Sequence, residues 1–300
     1  MFKNVLIIGC GLIGSSIARA IRSKKISKNI YIFEKSKKNI SVIKKLKMNF
    51  KIIKNLNKID SNLNLIILCT PMSEYQNILK KIKNLVSNNT IVTDVGSTKN
   101  FMNHKIKRTI NIKKLSWIPS HPIAGSEVSG AQYGNKNLFQ NKWCIVIKEK
   151  GTNKKHLSIL KTFWNKIGSN VVLMNPTKHD FIFSITSHLP HLIAYNLVKT
   201  ATDFEKGEEN KIIKYSAGGL RDFSRIAASN EIMWRDVFFT NKKNMVLAIN
   251  KFIKNLRLFK ADIVNENNKI LKKLIDSKKV RKKIISLKQD VDKPDFGRSN

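Results

Sequence analysis

The run Val5-Leu6-Ile7-Ile8, followed at once by Gly9-x-Gly11-x-x-Gly14 and then by a helical stretch from Ser15 to Ile21, constrains the fold more than any other part of the chain. Four consecutive apolar residues bounded by glycine fit a strand buried on both faces, as in a parallel sheet. Each glycine has its own reason. Gly9 makes the tight turn, Gly11 lets the backbone approach a pyrophosphate, and Gly14 lets the helix close on the strand. The helix that the loop opens presents its N-terminus to the same place and adds positive potential there, with Leu12 and Ile13 in the loop. Gly9, Gly11, Leu12, Ile13 and Gly14 are therefore candidate dinucleotide contacts. A helix-capping glycine loop without a nucleotide is the competing reading.

The same alternation continues. Ile30-Tyr31-Ile32-Phe33, Leu65 to Leu68 and Thr90 to Thr93 are apolar runs of strand length with amphipathic helical patterns between them. Trp143 to Ile147 and Val171 to Met174 read as later strands of the same domain. The expectation is an α/β Rossmann-type dinucleotide-binding domain over residues 1–175. Glu34 closes the second strand, where a carboxylate takes both ribose hydroxyls of an adenosine and so favours NAD. Lys35 and Lys37 beside it keep NADP possible. Thr70 and Pro71 follow the third apolar run, at the carboxyl ends of strands where such sheets take ligands.

After Asn175-Pro176 the spacing turns helical, with helices expected over 180–201, 210–217, 230–259 and 263–274. Residues 176–277 thus read as an all-α dimerisation and substrate domain, and 278–300 as a frayed basic tail. Its apolar stripes (Phe181, Phe183, Ile185, Leu192, Ile193, Tyr195, Leu197, Val237, Phe238, Phe239, Val246, Leu247, Ile249 and Phe252) exceed what one small helical domain can bury. A homodimer through this half is expected.

Composition narrows the function. The net charge is +37, yet only nine of the 57 basic residues are arginine, and the lysines are spread along the whole length. That pattern fits a solvated surface rather than a dedicated nucleic-acid face. No apolar run is long enough to span a bilayer, and the N-terminus lacks the features of a signal peptide. Three cysteines far apart, Cys10, Cys69 and Cys144, point to a reducing cytoplasm. His188 and His191 sit three apart but lack a further ligand, so no metal is expected.

Three motifs carry chemistry. His121-Pro122-Ile123-Ala124-Gly125-Ser126-Glu127 sets a histidine beside a stiffening proline, with a carboxylate six positions on. Asp94-Val95-Gly96-Ser97-Thr98-Lys99 follows a strand and faces the same crevice; a plain strand-to-helix turn would look similar. Gly218 to Ala227 places Arg221 and Arg225 on one helical face, if helical. A guanidinium grips a carboxylate through a planar fork that lysine cannot reproduce, although an intrahelical pair with Asp222 would also account for it.

With Ile232-Met233-Trp234-Arg235-Asp236 closing the series, these motifs resemble the prephenate/arogenate dehydrogenase family, the cyclohexadienyl dehydrogenases, from about residue 3 to about residue 275. The resemblance implies oxidative decarboxylation of prephenate or arogenate with hydride transfer to NAD, in tyrosine biosynthesis. It implies that His121 accepts the ring-hydroxyl proton, that Ser97 touches the same hydroxyl and the nicotinamide, and that Arg225 clamps a substrate carboxylate. His191 would line the pocket and Trp234 would border it, while Glu127, Asp180 and Arg221 would control access. Some members carry a chorismate mutase segment or a regulatory domain; neither is expected here, so any inhibition by tyrosine would act at the active site. The alternatives are another two-domain dehydrogenase, such as a 3-hydroxyacid dehydrogenase, and an NAD-sensing regulator without chemistry.

Overall fold

The computed structural model describes residues 1–56, 59, 62–101, 104, 106, 116–205, 212–287 and 289. Strands β1 (Phe2–Ile8), β2 (Ser27–Phe33), β3 (Lys51–Ile53), β4 (Leu65–Leu68), β5 (Ile91–Asp94) and β6 (Ser116–Trp117) form one parallel sheet in the order β3-β2-β1-β4-β5-β6. Helices α1 (Leu12–Ser23), α2 (Lys37–Lys45) and α3 (Tyr75–Ile82) connect its strands. The unbroken apolar runs have a simple cause: both faces are covered. Val5, Ile7, Leu65 and Ile67 pack with Ile17 and Ile21 of α1, while Leu6, Ile8, Ile66 and Leu68 pack with Ile78 and Leu79 of α3. Strand order reverses between β1 and β4, which opens the crevice where such folds bind nucleotides.

Two of the expected strands lie elsewhere. Trp143 to Ile147 and Val171 to Met174 belong to a second sheet, β7 (Ser120–Pro122), β8 (Trp143–Ile147) and β9 (Asn170–Met174), with β7 antiparallel and β9 parallel to β8. Helix α4 (Lys154–Lys166) connects β8 to β9, and its Trp164 donates from Nε1 to Ser120 Oγ at 3.1 Å. That hydroxyl also lies 2.9 Å from Thr93 Oγ1 of β5, so hydrogen bonds tie the two sheets together where β7 begins.

The helical part is more segmented than periodicity predicts. Helix α5 (Pro176–Phe183) starts with proline at its first position and is capped by Asn175, whose side chain accepts from Lys178 N–H. A π-helical turn, Ser184–His188, separates it from α6 (Leu189–Glu205). Pro190 gives the reason: it has no N–H for the Thr186 carbonyl, so the ladder must change register. The expected helix over 210–217 is described only from Ile212, where Ile212–Tyr215 is a 3-10 turn; its first two residues lie outside the described residues. Gly218–Ala227 is indeed helical (α7). The single helix expected over 230–259 is two, α8 (Glu231–Thr240) and α9 (Lys242–Val264), broken at Asn241, whose side chain is buried in other bonds. Helix α10 (Lys269–Ser286) continues well into the segment expected to fray, because its lysines alternate with Leu271, Leu274, Ile275, Val280 and Ile284 and nothing in it breaks a helix.

By compactness the chain divides into Met1–Met245 and Val246–Asn300. In the second unit α9 and α10 are joined by a turn in which Glu266 has φ 48°, and Lys273 Nζ donates to the Leu258 carbonyl at 3.1 Å. Most exposed large hydrophobic side chains among the described residues lie beyond Pro176. Phe181, Ile185, Leu197, Phe239, Val246 and Leu247 of the expected stripes are among them, whereas Val237 is fully buried. No described helix is long and apolar enough to cross a membrane.

Candidate active site

The histidine of the sequence heptad stands on a strand rather than a loop. His121 is the middle residue of β7, opposite Ile145 in β8, and is only 8% exposed. Its Nδ1 lies 2.8 Å from Nε2 of His179 on α5, and Nδ1 of His179 lies 2.8 Å from Asp180 Oδ1. Phe183 closes the other side, its ring centroid 4.9 Å from that of His121. Burial holds the His121 pKa well below its ordinary value, and the neighbouring His179, Lys99 and His188 push the same way. His121 is therefore a neutral imidazole, the form that accepts a proton. His179 is lowered as well, chiefly by burial, although its bond to Asp180 opposes the shift.

Asp180 is not among the groups controlling access. It is 1% exposed, and its two oxygens accept the Lys99 and Asn100 N–H groups at 2.8 and 2.9 Å. A buried carboxylate must be paired in this way, so Asp180 is tied into the framework beside His179. Lys99, the last residue of the Asp94–Lys99 motif, is also buried and donates to Asp94 Oδ2 at 2.6 Å. Asp94 in turn accepts the Ser120 N–H at 3.3 Å, immediately before His121. Ser97 lies between these charged groups in the motif and is half-buried, with its backbone against His188.

Further groups connect outward. His191 donates from Nδ1 to the Ser187 carbonyl at 2.8 Å, so its Nε2 is an acceptor, and its ring stacks on Trp234 with centroids 3.8 Å apart. Trp234 is buried, in edge contact with His188. Asp236, two residues on, accepts the Ser73 N–H at 3.0 Å and anchors α8 to the loop after β4. Arg225 on α7 forms an ion pair with Glu127 of the heptad, and Glu127 acts electrostatically on His191. The structure thus links His121, Ser97, His191, Trp234, Glu127 and Arg225 through a chain of neighbours. Arg221 stands one turn before Arg225 and is exposed. Sequence reasoning missed His179 and Asn241; the one available signal was the His179-Asp180 pair early in a proline-led helix.

The glycine loop fits a dinucleotide. Gly9 has φ 88°, and a Cβ on Gly14 would stand 2.1 Å from the Gly9 carbonyl oxygen, whereas one on Gly11 would meet nothing within 4 Å. The space above Gly11 is open, and the N-terminus of α1 has no side-chain cap and no acid in its first turn. Its N–H groups at Leu12, Ile13 and Gly14 suit a pyrophosphate. Across the crevice Thr70, followed by Pro71, packs against Gly9. Glu34 accepts the Cys10 N–H at 2.6 Å and the Ser36 N–H at 2.8 Å, so its carboxylate is fixed at the edge of the loop. Lys35 turns toward Glu74, 3.6 Å away. Burial, with Glu34 adding to it, pushes the Cys10 thiol up to about 12, so this cysteine is no thiolate nucleophile. No three His, Cys, Asp or Glu converge on a common point among the described residues.

Comparison with known proteins agrees with this layout. Residues 17–173 match the family model of the prephenate dehydrogenase nucleotide-binding domain, and residues 175–277 that of the prephenate dehydrogenase dimerization domain. The chain is 29% identical over 295 residues to a cyclohexadienyl dehydrogenase of Zymomonas mobilis, covering 97% of this chain and 98% of that protein. It is 27% identical over 268 residues to a prephenate dehydrogenase of Bacillus subtilis, covering 89% and 72%. The crystal structure of an A. aeolicus prephenate dehydrogenase with hydroxyphenyl propionate and NAD+ superposes with TM-score 0.86 at 34% identity, covering 94% of this chain and 98% of that one. On both halves, in one order and over nearly its whole length, the chain belongs to the prephenate dehydrogenase family.

Proposed function

We propose that the protein oxidatively decarboxylates prephenate, or its amino analogue arogenate, with NAD as oxidant, in tyrosine biosynthesis. The observation that carries the reading is a buried neutral His121, its Nδ1 2.8 Å from His179 Nε2, in a site that also holds an arginine–carboxylate pair. The substrate is a dianion with a ring alcohol opposite a quaternary carbon bearing carboxylate. NAD, held by the glycine loop and Glu34, would supply the acceptor for the hydride of the alcohol carbon. His121 takes the hydroxyl proton, and a general base of this kind contributes about 10²- to 10⁴-fold. The ketone then draws electrons from the ring carboxylate, carbon dioxide leaves, and aromatisation makes the step irreversible.

Ser97 adds a hydrogen bond at the same hydroxyl. Arg225, released from Glu127, grips a substrate carboxylate by its fork, and Arg221 extends the positive face of α7. His191 and Trp234 form the wall of the pocket. Glu34 receives the adenosine ribose and disfavours a 2′-phosphate, and with Lys35 drawn toward Glu74, NAD is preferred over NADP. The exposed apolar side chains of the helical half fit a twofold homodimer, and the match to a dimerization domain supports it. The reducing cytoplasm suits the three free cysteines.

The test is direct. Purified protein is given prephenate or arogenate with NAD or NADP, and reduced nicotinamide is followed. Turnover of at least one substrate, faster with NAD, is expected; none with either acid would overturn the reading.

A further inference from the structure

We propose that His179 and Asp180 are positioning residues that hold His121 as the tautomer whose Nε2 is bare, and keep the substrate's proton within the row until the product oxygen takes it back. The inference rests on the reaction proposed above and on the hydrogen bonds of the buried row. Asp180 is the fixed point. Its carboxylate already accepts two backbone N–H groups, from Lys99 and Asn100, and each of them stabilises the ionised form. The hydrogen between Asp180 Oδ1 and His179 Nδ1 therefore belongs to the imidazole. With Nδ1 protonated, neutral His179 carries a lone pair at Nε2. That lone pair lies 2.8 Å from His121 Nδ1, which must donate to it. His121 Nε2 is then left as an acceptor. One carboxylate thus sets two tautomers in series, where a Ser-His-Asp triad sets one.

The proton inventory gives the row its second task. When the ring alcohol becomes a ketone, its O–H bond breaks and an N–H bond forms at His121 Nε2. When carbon dioxide leaves, the electrons of the breaking carbon–carbon bond pass into the ring, and the oxygen, now phenolic, needs its proton again. The hydride goes to the oxidised nicotinamide, and no proton is gained or lost overall. In the interval the proton on His121 Nδ1 can cross to His179 Nε2. The positive charge then lies against the Asp180 carboxylate instead of at His121, which faces Lys99 and His188. Besides His121, the charged groups acting on His179 are Asp180, Lys99 and Asp94. Two of these three are anionic, so the charge is better placed there. The row stores the proton; it has no need to export it.

The test uses the full-length protein and three variants: Asp180→Asn, His179→Ala and His179→Gln. Ring-nitrogen NMR of ¹⁵N-histidine protein without substrate reports tautomers directly. The expected wild-type result is a single Nδ1–H form of His121, with mixed tautomers in Asp180→Asn and His179→Ala. In both, kcat should fall by about 10²- to 10⁴-fold while KM stays within about threefold. His179→Gln separates the two tasks: its amide oxygen can accept from His121 Nδ1–H but cannot take a proton. It should restore the single tautomer and only part of kcat, with the pH profile of kcat displaced from wild type. Near-UV circular dichroism and NADH binding check the fold, and the glutamine variant guards against collapse of the Asp180 framework. A wild-type His121 protonated at Nε2, or kcat within about threefold of wild type in folded Asp180→Asn and His179→Ala, would overturn the proposal. The spectra need no substrate, so failure of the unaltered protein to turn over either acid would sink the functional reading while leaving the relay to be judged by its tautomers.

Discussion

Acid should weaken this fold through His188, and the amount follows from its surroundings. The side chain is fully buried on the π-helical turn, and Asn241 Nδ2 approaches its Nδ1 at 3.1 Å. The same amide nitrogen donates to the Asp180 carbonyl at 2.8 Å. Burial lowers the His188 pKa from 6.5 to about 4, with Asp180 opposing and His179 and His191 adding to the shift. The folded pKa lies below the unfolded one, so the unfolded chain binds this proton first. The contribution is whole above pH 6.5, declines as the pH falls through the window from 6.5 to about 4, and is then lost. At about 1.36 kcal/mol per tenfold change in proton affinity, a fall from 6.5 to about 4 corresponds to about 3 kcal/mol. Urea unfolding of wild type and His188→Gln, at one protein concentration and several pH values from 7 to 4.5, isolates it. His121 and His179 titrate in both proteins, so the difference reports His188 together with its coupling to these neighbours. Between pH 6 and 4.5 the variant should lose about 1 kcal/mol less per pH unit than wild type. Parallel slopes would refute the reasoning and place the acid sensitivity elsewhere.

Three other outcomes are expected. His121→Asn should retain NADH binding by fluorescence titration while kcat falls about 10²- to 10⁴-fold; because the His121 pKa is lowered, the acid limb of the wild-type kcat/KM profile should lie below the ordinary histidine range, since the neutral base survives to lower pH. Arg225→Leu should raise KM for the substrate much more than it lowers kcat, by about 30-fold or more if a buried carboxylate is left unpaired in the complex, as read in steady-state assays. Gly14→Ala should abolish NADH binding and lower Tm, because the new methyl would stand 2.1 Å from the Gly9 carbonyl oxygen; overpacking of this kind costs about 1–3 kcal/mol.

The parallel sheet was legible because apolar runs such as Val5–Ile8 and Leu65–Leu68 record burial on two faces, and the glycines record a turn that few other residues can make. The heptad and the Arg221–Arg225 spacing pointed to Glu127 and Arg225, which the fold joins across 98 residues. Other features depend on contacts that no local pattern encodes. Asp180 reads as a surface acid in a polar helix start; its burial follows from two backbone N–H groups that arrive from 80 residues away. His179 has no motif, and its partner is 58 residues upstream. The break at Asn241 is equally silent in periodicity, since that side chain is held by Asp180 and His188 rather than by its own helix.

The strand that carries His121 is also closed to addition at its outer side. Along β7 successive residues turn their backbone nitrogens to opposite sides, so Ser120 and Pro122 share the side away from β8. The Ser120 N–H is taken by Asp94, and Pro122 has none to offer. An edge strand with free donors invites a stray chain to pair with it. Here β7 is buried along its whole length, so no chain can pair with it, and the consequence is that no outward N–H beside His121 is left without a partner. Proline beside the histidine therefore removes a donor that would otherwise need a partner in this buried place.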